Sequence, residues 1–451
     1  MSTANIRNSQ QPGTILSQDG QIAYEDLKRT VHQRLLETLD FVKAQQMAPD
    51  QLHDQCSRRV GELLREQRCP LTAPERAQLL RELMDEIFGL GPLEEFLRDK
   101  AVSDILVNGP SDIYIERFGR LEHTDASFRD ESHLMLVIQR IAAQVGRRID
   151  ESAPMLDARL RDGTRVNAII PPLSLIGPAM SLRRFSNMPL DADQLIALDS
   201  MAREMIELLQ ACVRCRMNIL ISGGTGTGKT TLLNVLSRWI PTAERVVTIE
   251  DAAELQLHRA HVVRLETRPP NVEGAGQVSQ RELLRNTLRM RPDRIIIGEV
   301  RGPEALDMLQ AMNTGHEGSM TTVHANNPRD ALRRVENMVS MAGLNYPVHV
   351  IRQQMASALN LLVHLARLTG GARKVVSVAE ITGMEGDTIC EQELFTYRQT
   401  GVDELGCAVG HFEGCGIRPK LLPRLHAEGI DLPPHLFERR ELVTEPQEAQ
   451  A

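Results

Sequence analysis

The chain has 451 residues, 42% apolar and 25% charged, a composition that suits an ordinary globular protein of about three domains. A formal net charge of −8 argues against a protein that coats nucleic acid, and aromatic residues at 3% leave the core to Leu, Ile, Val and Met. No stretch approaches the ~18 continuous apolar residues of a membrane span, and the opening MSTANIRNSQQPG lacks the apolar stretch of a secretory leader. A cytoplasmic location without disulfides is the expectation, and seven scattered cysteines agree with it.

Residues 1–20 are rich in Gln, Ser, Asn and Gly and are expected to be disordered. From 21 to 98 the pattern is helical, with Leu27, Val31, Leu35, Leu39 and Val42 at helical spacing. Thr72-Ala-Pro-Glu75 combines an N-cap, an early proline and a capping-box glutamate, and the helix it starts stops at Gly89-Leu90-Gly91-Pro92. The period then changes. Short antiparallel strands at 105–108 and 113–115, a helix from Glu131 to Gln144, a hairpin with Arg161-Asp-Gly-Thr164 at its tip and a strand at 180–185 make one small α+β domain over 99–190. Residues 186–193 read as a linker. Over 191–440, strands at 218–222, 245–250, 294–298 and 319–322 alternate with helical stretches, which predicts an α/β fold with a parallel sheet. A helical C-terminal part and a loose tail at 441–451 complete the reading, and no internal repeat is visible.

Residues 223–230 read G-G-T-G-T-G-K-T, preceded by an apolar strand and followed by helical spacing in LLNVLSRWI. That strand–loop–helix setting makes a phosphate-binding loop, with ATP and Mg²⁺ as the expected ligands. Gly223, Gly224, Thr225, Gly226, Thr227 and Gly228 can turn backbone N–H groups around phosphate oxygens, and Thr231 follows in the first helical turn. Lys229 is placed to reach the β- and γ-phosphates and the Thr230 hydroxyl to ligate magnesium. The strand before Gly298 leads into Glu299, an acid at the strand's C-terminal edge that can hold magnesium directly or through water. Another strand ends in Glu250-Asp251. Glu250 is the candidate for polarising the attacking water, although acids often follow strands, and the residues alone leave both readings open. His316 and His324 flank a short strand, and periodicity alone does not single them out among 13 histidines.

Cys212 and Cys215 form a lone CxxC without a second pair, which reads as core or helix surface. Cys407, His411 and Cys415 lack a fourth ligand and read as a Gly-rich loop.

These elements, in this order, resemble the secretion-ATPase superfamily that powers type II and type IV secretion and pilus assembly. T-I-E-D-A-A-E-L, containing Glu250, is similar to the family's Asp box. R-P-D-R-I-I-I-G-E-V-R resembles its atypical Walker B, and T-G-H-E-G-S-M-T-T-V-H-A-N its His box, which in the family couples γ-phosphate state to domain movement. The resemblance therefore assigns functional roles to Glu250, Glu299, His324 and His316. G-L-G-P-L, S-D-I-L-V-N-G-P-S-D-I-Y-I-E, D-G-T-R-V-N-A-I-I-P-P and S-L-R-R-F are similar to the CpaF/TadA branch, the motor of tight-adherence (Flp-type) pili. Covering roughly residues 75–440, the likeness implies a RecA-like P-loop ATPase core, a small α+β N-terminal domain and a preceding helical segment. It also implies a homohexamer, with nucleotide held between the small domain and the core and with Arg159, Arg183 or Arg184 near the phosphates. The hexamer would dock, without inserting, on platform proteins at the inner face of a bacterial inner membrane, with no direct nucleic-acid partner. Effector secretion or conjugation is the alternative within the superfamily. A RecA-like nucleic-acid motor and a non-hydrolysing nucleotide-sensing scaffold stand outside it. The chain lacks the four-cysteine zinc module of type II assembly ATPases, and Asn360 stands where the family commonly has Asp.

Overall fold

The computed structural model describes residues 18–38, 49–66, 71–117, 120–160, 162–184, 190–257, 259–270, 275–344, 346–404 and 406–442. The chain divides into two compact units, Met1–Arg184 and Phe185–Ala451. The disorder expected at 1–17 and 443–451 and the linker expected at 186–189 lie outside the described residues. Residues 18–20, by contrast, open the helix Gln18–Thr38, and 441–442 belong to a strand.

In the first unit, helices Gln18–Thr38, Pro49–Glu66 and Ala73–Phe88 bury Val31, Leu35, Leu63, Leu79 and Leu83 in a core of their own. The capping box forms as the sequence predicts. The Thr72 N–H donates to Glu75 Oε2 at 2.7 Å, and the Glu75 N–H returns to Thr72 Oγ1 at 3.4 Å. Arg140, on the helix Glu131–Gln144, donates to the carbonyls of Glu86 and Gly89 at 3.0 and 2.6 Å, so it closes the C-terminus of the Ala73–Phe88 helix and ties it to the α+β domain. That domain is a six-stranded sheet of β1 (Val102–Val107), β2 (Ile113–Arg117), β3 (Arg120–His123), β4 (Met155–Arg159), β5 (Arg165–Ile169) and β6 (Ala179–Arg183). Its order is β3-β2-β1-β6-β5-β4, antiparallel throughout. Ile105, Ile113, Val166 and Leu182 pack with Leu134, Ile138 and Ile141 of the Glu131–Gln144 helix.

The second unit is built on parallel strands β7 (Ile219–Gly223), β8 (Val246–Glu250), β9 (Val262–Glu266), β10 (Arg294–Ile297), β11 (Met320–His324) and β12 (Leu361–Arg367), in the order β12-β7-β11-β10-β8-β9. Crossover helices cover both faces, so β7 and β8 are buried along their whole length, as parallel sheets require. Ile219 and Ile221 point into a cluster with Leu208, Leu209 and Leu233, whereas Leu220 points into another with Leu306, Leu309 and Val335. This is the α/β core that the sequence leads one to expect.

The expected helical C-terminal part is corrected. Helices Pro328–Ser340 and Val348–Ala358 do follow β11, but the chain then becomes an antiparallel meander of β13 (Arg373–Glu385), β14 (Thr388–Val402), β15 (Ala408–Gly414) and β16 (Arg440–Leu442). It extends the sheet to ten strands, with β13 paired to β12. The physical reason is visible in Val375, Val376, Val378 and Ile381, β-branched residues that suit a pleated sheet, set between turns at Gly370-Gly371 and Gly386-Asp387. The stretch from Cys407 to Cys415 is likewise strand β15 rather than a loop, and His411 Nδ1 lies 3.8 Å from Glu441 Oε1. Cys212 and Cys215 are buried, and burial pushes both thiols up. Among the described residues no helix is long and apolar enough to cross a membrane.

Candidate nucleotide site

β7 ends at Gly223, and the chain turns through the glycine-rich loop into the helix Lys229–Ser237. The turn is tight: a Cβ on Gly223 would lie 2.5 Å from the Leu365 carbonyl oxygen and 2.7 Å from Thr227 Oγ1, so only glycine fits. Thr227 Oγ1 donates to the Gly224 carbonyl at 3.0 Å, which braces the loop from inside. Lys229 folds back over it, its Nζ donating to the carbonyls of Gly223 and Gly224 at 3.0 and 2.7 Å. Burial lowers the Lys229 pKa, an effect that Glu299 and Glu254 oppose. The Thr230 hydroxyl donates to Glu254 Oε2 at 3.4 Å. Thr225, Gly226, Gly228 and Thr231 complete the loop and the first turn of the helix.

Parallel pairing brings the remaining groups to the same edge. Gly223 pairs with His324, and Ile249 with Ile297, so Glu250, Glu299 and His324 stand at the C-terminal ends of neighbouring strands. Glu250 is 2% exposed. Its Oε2 accepts from the N–H groups of Glu254 and Leu255 at 2.6 and 2.8 Å, while its Oε1 is buried without a partner among the described residues. Burial pushes this carboxyl up to about 7, against the two N–H donors that pull it down. Gly298 makes the room, since a Cβ there would lie 3.0 Å from Glu250 Cγ. Glu299 Oε2 pairs with Arg301 Nη2 at 2.7 Å, and Glu299 Oε1 faces His324 Nε2 at 3.5 Å. Arg301 reaches on to Asp251 Oδ2 at 3.4 Å. Burial, then the Lys229 charge, lowers the His324 pKa, which favours the neutral imidazole at neutral pH.

His316 is not brought to this edge. It lies four residues before β11, at the strand's N-terminal end, and a five-residue strand separates the two ends by roughly 17 Å. Its Nδ1 is buried without a partner among the described residues. In the first unit, Arg159 pairs with Arg165 and Arg165 with Arg183, a row of three arginines across β4, β5 and β6. Arg159 Nε donates to the Gly163 carbonyl at 3.4 Å and Arg183 Nε to Asp104 Oδ1 at 2.9 Å. Arg184 is different: its Nη1 donates to the carbonyls of Phe96 and Val102 at 3.3 Å each, and to that of Asp99. That is a brace on the segment entering β1, a structural task that Arg183 does not share. Asn360 has a structural task too. Its Oδ1 accepts from the Asn218 N–H at 2.8 Å at the start of β7, away from the loop.

Several residues of the site escape a reading of the sequence alone. Glu254, beside Thr230, stands in the E-D-A-A-E run, whose second acid was the available signal. Arg301, which holds Glu299, carried no signal beyond its charge. His364 is the one polar side chain in the buried run Leu361–Leu365, and a buried polar group in an apolar strand needs a partner. It has one on each side: Ser222 Oγ lies 2.8 Å from its Nδ1, and the Asn326 backbone hydrogen-bonds to it, so His364 links the root of the phosphate loop to the segment after His324.

The donor set suits a magnesium ion carried in with a nucleotide. Thr230, Glu254 and Glu299 offer oxygen ligands, and among the described residues no three His, Cys, Asp or Glu side chains converge on one point. Such an ion would take most of its ligands from water and phosphate, as magnesium commonly does.

The type II/IV secretion system protein family matches residues 86–416, and the type II secretion system protein E N-terminal domain matches residues 24–88. A Mycobacterium tuberculosis protein whose name is that of a conjugal transfer protein is 39% identical over 313 residues, covering 68% of this chain and 88% of its own. The conjugal transfer protein TrbB of Rhizobium radiobacter is 34% identical, covering 68% and 91%. Among solved structures, the VirB11 ATPase of the Brucella suis type IV secretion system is 28% identical, covers 64% of this chain and 91% of its own, and has a TM-score of 0.36. With a family match that runs from the last turn of the Ala73–Phe88 helix to just past β15 and takes in the phosphate loop, Glu250, Glu299 and His324, the chain belongs to the type II/IV secretion system protein family.

Proposed function

We propose that this protein hydrolyses ATP with magnesium at the Gly223–Thr231 loop and, as a homohexamer, powers a pilus-assembly or secretion machine. The observation that carries the enzymatic part is that the phosphate-binding loop after β7 and Glu250 of β8, a buried carboxyl group with one unpartnered oxygen, stand on the same C-terminal edge of one parallel sheet. The loop's N–H groups and Lys229 hold the phosphate chain. Glu250, poised near 7, accepts the proton of the attacking water or polarises it through Oε1. Glu299 and Thr230 hold the magnesium ion, with Glu254 beside Thr230; the ion, when bound, polarises the phosphate oxygens. Arg301 fixes Glu299, and His324 lies within reach of the same carboxylate. Arg159 and Arg183, which stand in one row with Arg165, suit the phosphate-facing role that the resemblance implies for Arg159 and for Arg183 or Arg184.

The resemblance to the CpaF/TadA branch favours a tight-adherence pilus as the machine, with the hexamer peripheral to the inner face of the bacterial inner membrane and acting through platform proteins. The names of the 39% and 34% identical relatives favour conjugal transfer as a second reading. Deleting the protein in its host separates the two, since loss of surface pili supports the first and loss of DNA transfer the second. For the enzymatic claim, the test is magnesium-dependent phosphate release by the full chain and by Glu299→Gln, which should keep nucleotide binding and lose turnover. Normal turnover by that variant would refute the role given to Glu299.

A further inference from the structure

The hairpin that joins β12 to the meander places two more cations against the phosphate loop. β12 runs parallel to β7, with Leu365 beside Gly223, and continues for two residues past the point where β7 turns into the loop. The residue it reaches is Arg367. The hairpin Arg367-Leu-Thr-Gly-Gly-Ala-Arg373 then returns, and Arg373 is the direct cross-strand partner of Arg367. Residues at alternate positions share a face, so Leu365, Arg367 and Arg373 lie on one side of the hairpin. That side meets the loop: Leu365 Cδ2 and Arg373 Cδ come within 3.9 and 4.0 Å of the Cβ position of Gly228, and Arg367 Nη1 within 3.9 Å of that of Gly226.

The charge pattern is the second observation. Like charges directly opposite each other on antiparallel strands destabilise the pair. Both arginines are exposed, and the Arg373 guanidinium has no ion pair or hydrogen bond among the described residues. An uncompensated Arg373 carried onto a glycine-rich loop is a cost without an anion and an asset with one. Arg is also the side chain whose planar fork matches phosphate oxygens.

We propose that Arg367 and Arg373 form a second cationic wall of the phosphate loop and contact the phosphate chain of a bound nucleoside triphosphate. The proposal rests on the reading of the loop as a nucleotide site. It adds phosphate-binding residues from the same unit as the loop, distinct from Lys229 and from the arginine row of the first unit.

The test is calorimetric titration of the full chain with the non-hydrolysable triphosphate AMP-PNP and with ADP, both in magnesium buffer. The proteins are the wild type, Lys229→Ala, Arg373→Lys, Arg373→Gln and the double variant Arg367→Gln/Arg373→Gln. Removing two exposed charge-assisted contacts should weaken AMP-PNP binding about tenfold in the double variant, with a smaller loss for ADP. Arg373→Lys should fall between Arg373→Gln and wild type, and without nucleotide no variant should unfold at a lower temperature than wild type. Wild-type affinity for both nucleotides in the double variant would overturn the proposal. So would an affinity loss that follows a lowered unfolding midpoint, because the arginines would then be scaffold residues. A folded wild type that binds neither nucleotide, and behaves like Lys229→Ala, would overturn the nucleotide reading and the hairpin's role with it.

Discussion

Replacing Glu250 with glutamine tests whether burial raises the pKa of this carboxyl into the neutral range. Its pKa is raised from 4.5 to about 7, chiefly by burial. Because the folded value lies above the unfolded one, burying the group costs nothing below about pH 4.5, where both states are protonated. The cost grows as pH rises and levels off once pH passes about 7. A shift of that size amounts to about 3 kcal/mol in all, of which about 2 kcal/mol falls between about pH 5.5 and about pH 8. Glutamine keeps an oxygen for the N–H groups of Glu254 and Leu255, and any cost of burying its amide is the same at every pH. Urea unfolding followed by the fluorescence of Trp239, the one tryptophan and a residue of the second unit, reports on the relevant part of the molecule. The stability difference should move in favour of Glu250→Gln by about 2 kcal/mol as the pH is raised across that range. A difference that stays flat would refute the claim that Glu250 is buried with a raised pKa. In the same window, wild-type turnover should climb through about pH 7 as the carboxylate forms.

Gly298→Ala places a methyl group 3.0 Å from Glu250 Cγ in a packed site, so turnover should fall and stability drop by about 1–3 kcal/mol, measured by phosphate release and thermal unfolding. Arg184→Ala frees three carbonyl oxygens at the entry to β1 and should destabilise the first unit by about 1–3 kcal/mol. Arg183→Ala should leave stability within about 1 kcal/mol, because the Arg183 side chain is 60% exposed and its ion pair with Asp104 is a surface pair. If Arg183 contacts phosphate, its loss lowers turnover all the same, and unchanged kinetics would end that proposal. His364→Ala should lower kcat more than it raises KM, since the side chain positions the segment after His324 rather than the nucleotide itself, and His364→Asn should recover part of the loss. Equal changes in kcat and stability, with no recovery, would make His364 a packing residue.

The parts of this molecule legible in the sequence are those in which cause and effect sit close along the chain. The loop from Gly223 to Thr231 is contiguous, and its strand and helix flank it directly, so its identity needs no tertiary information. The capping box at Thr72 and the helix Glu131–Gln144 are local in the same way. The meander after β12 was missed because its strands bury both polar and apolar side chains: Lys374, Ser377 and Glu380 are buried beside Val375 and Val378, which blurs the alternation that marks a strand. The fate of the arginines depended on register. Nothing in S-L-R-R-F says that Arg183 would face Asp104 and its neighbour three backbone carbonyls. His316 and His324 look equivalent on either side of a short strand, and only the parallel pairing of β11 with β7 assigns one of them to the loop edge. Glu254 reaches Thr230 because the chain doubles back after β8 to give its N–H to Glu250, a contact made by tertiary folding rather than by spacing.

The central claim is that this chain turns over ATP at the Gly223–Thr231 loop using Glu299 and magnesium. The measurement that tests it most directly is phosphate release by the purified full chain, comparing wild type, Lys229→Ala and Glu299→Gln, with and without magnesium and with and without single- and double-stranded DNA. The account predicts magnesium-dependent hydrolysis by wild type that DNA does not change, no nucleotide binding by Lys229→Ala, and binding without turnover by Glu299→Gln. Full turnover by Glu299→Gln, or no turnover by a folded wild type that binds ATP, would contradict it, and strong stimulation by DNA would point to a nucleic-acid motor instead.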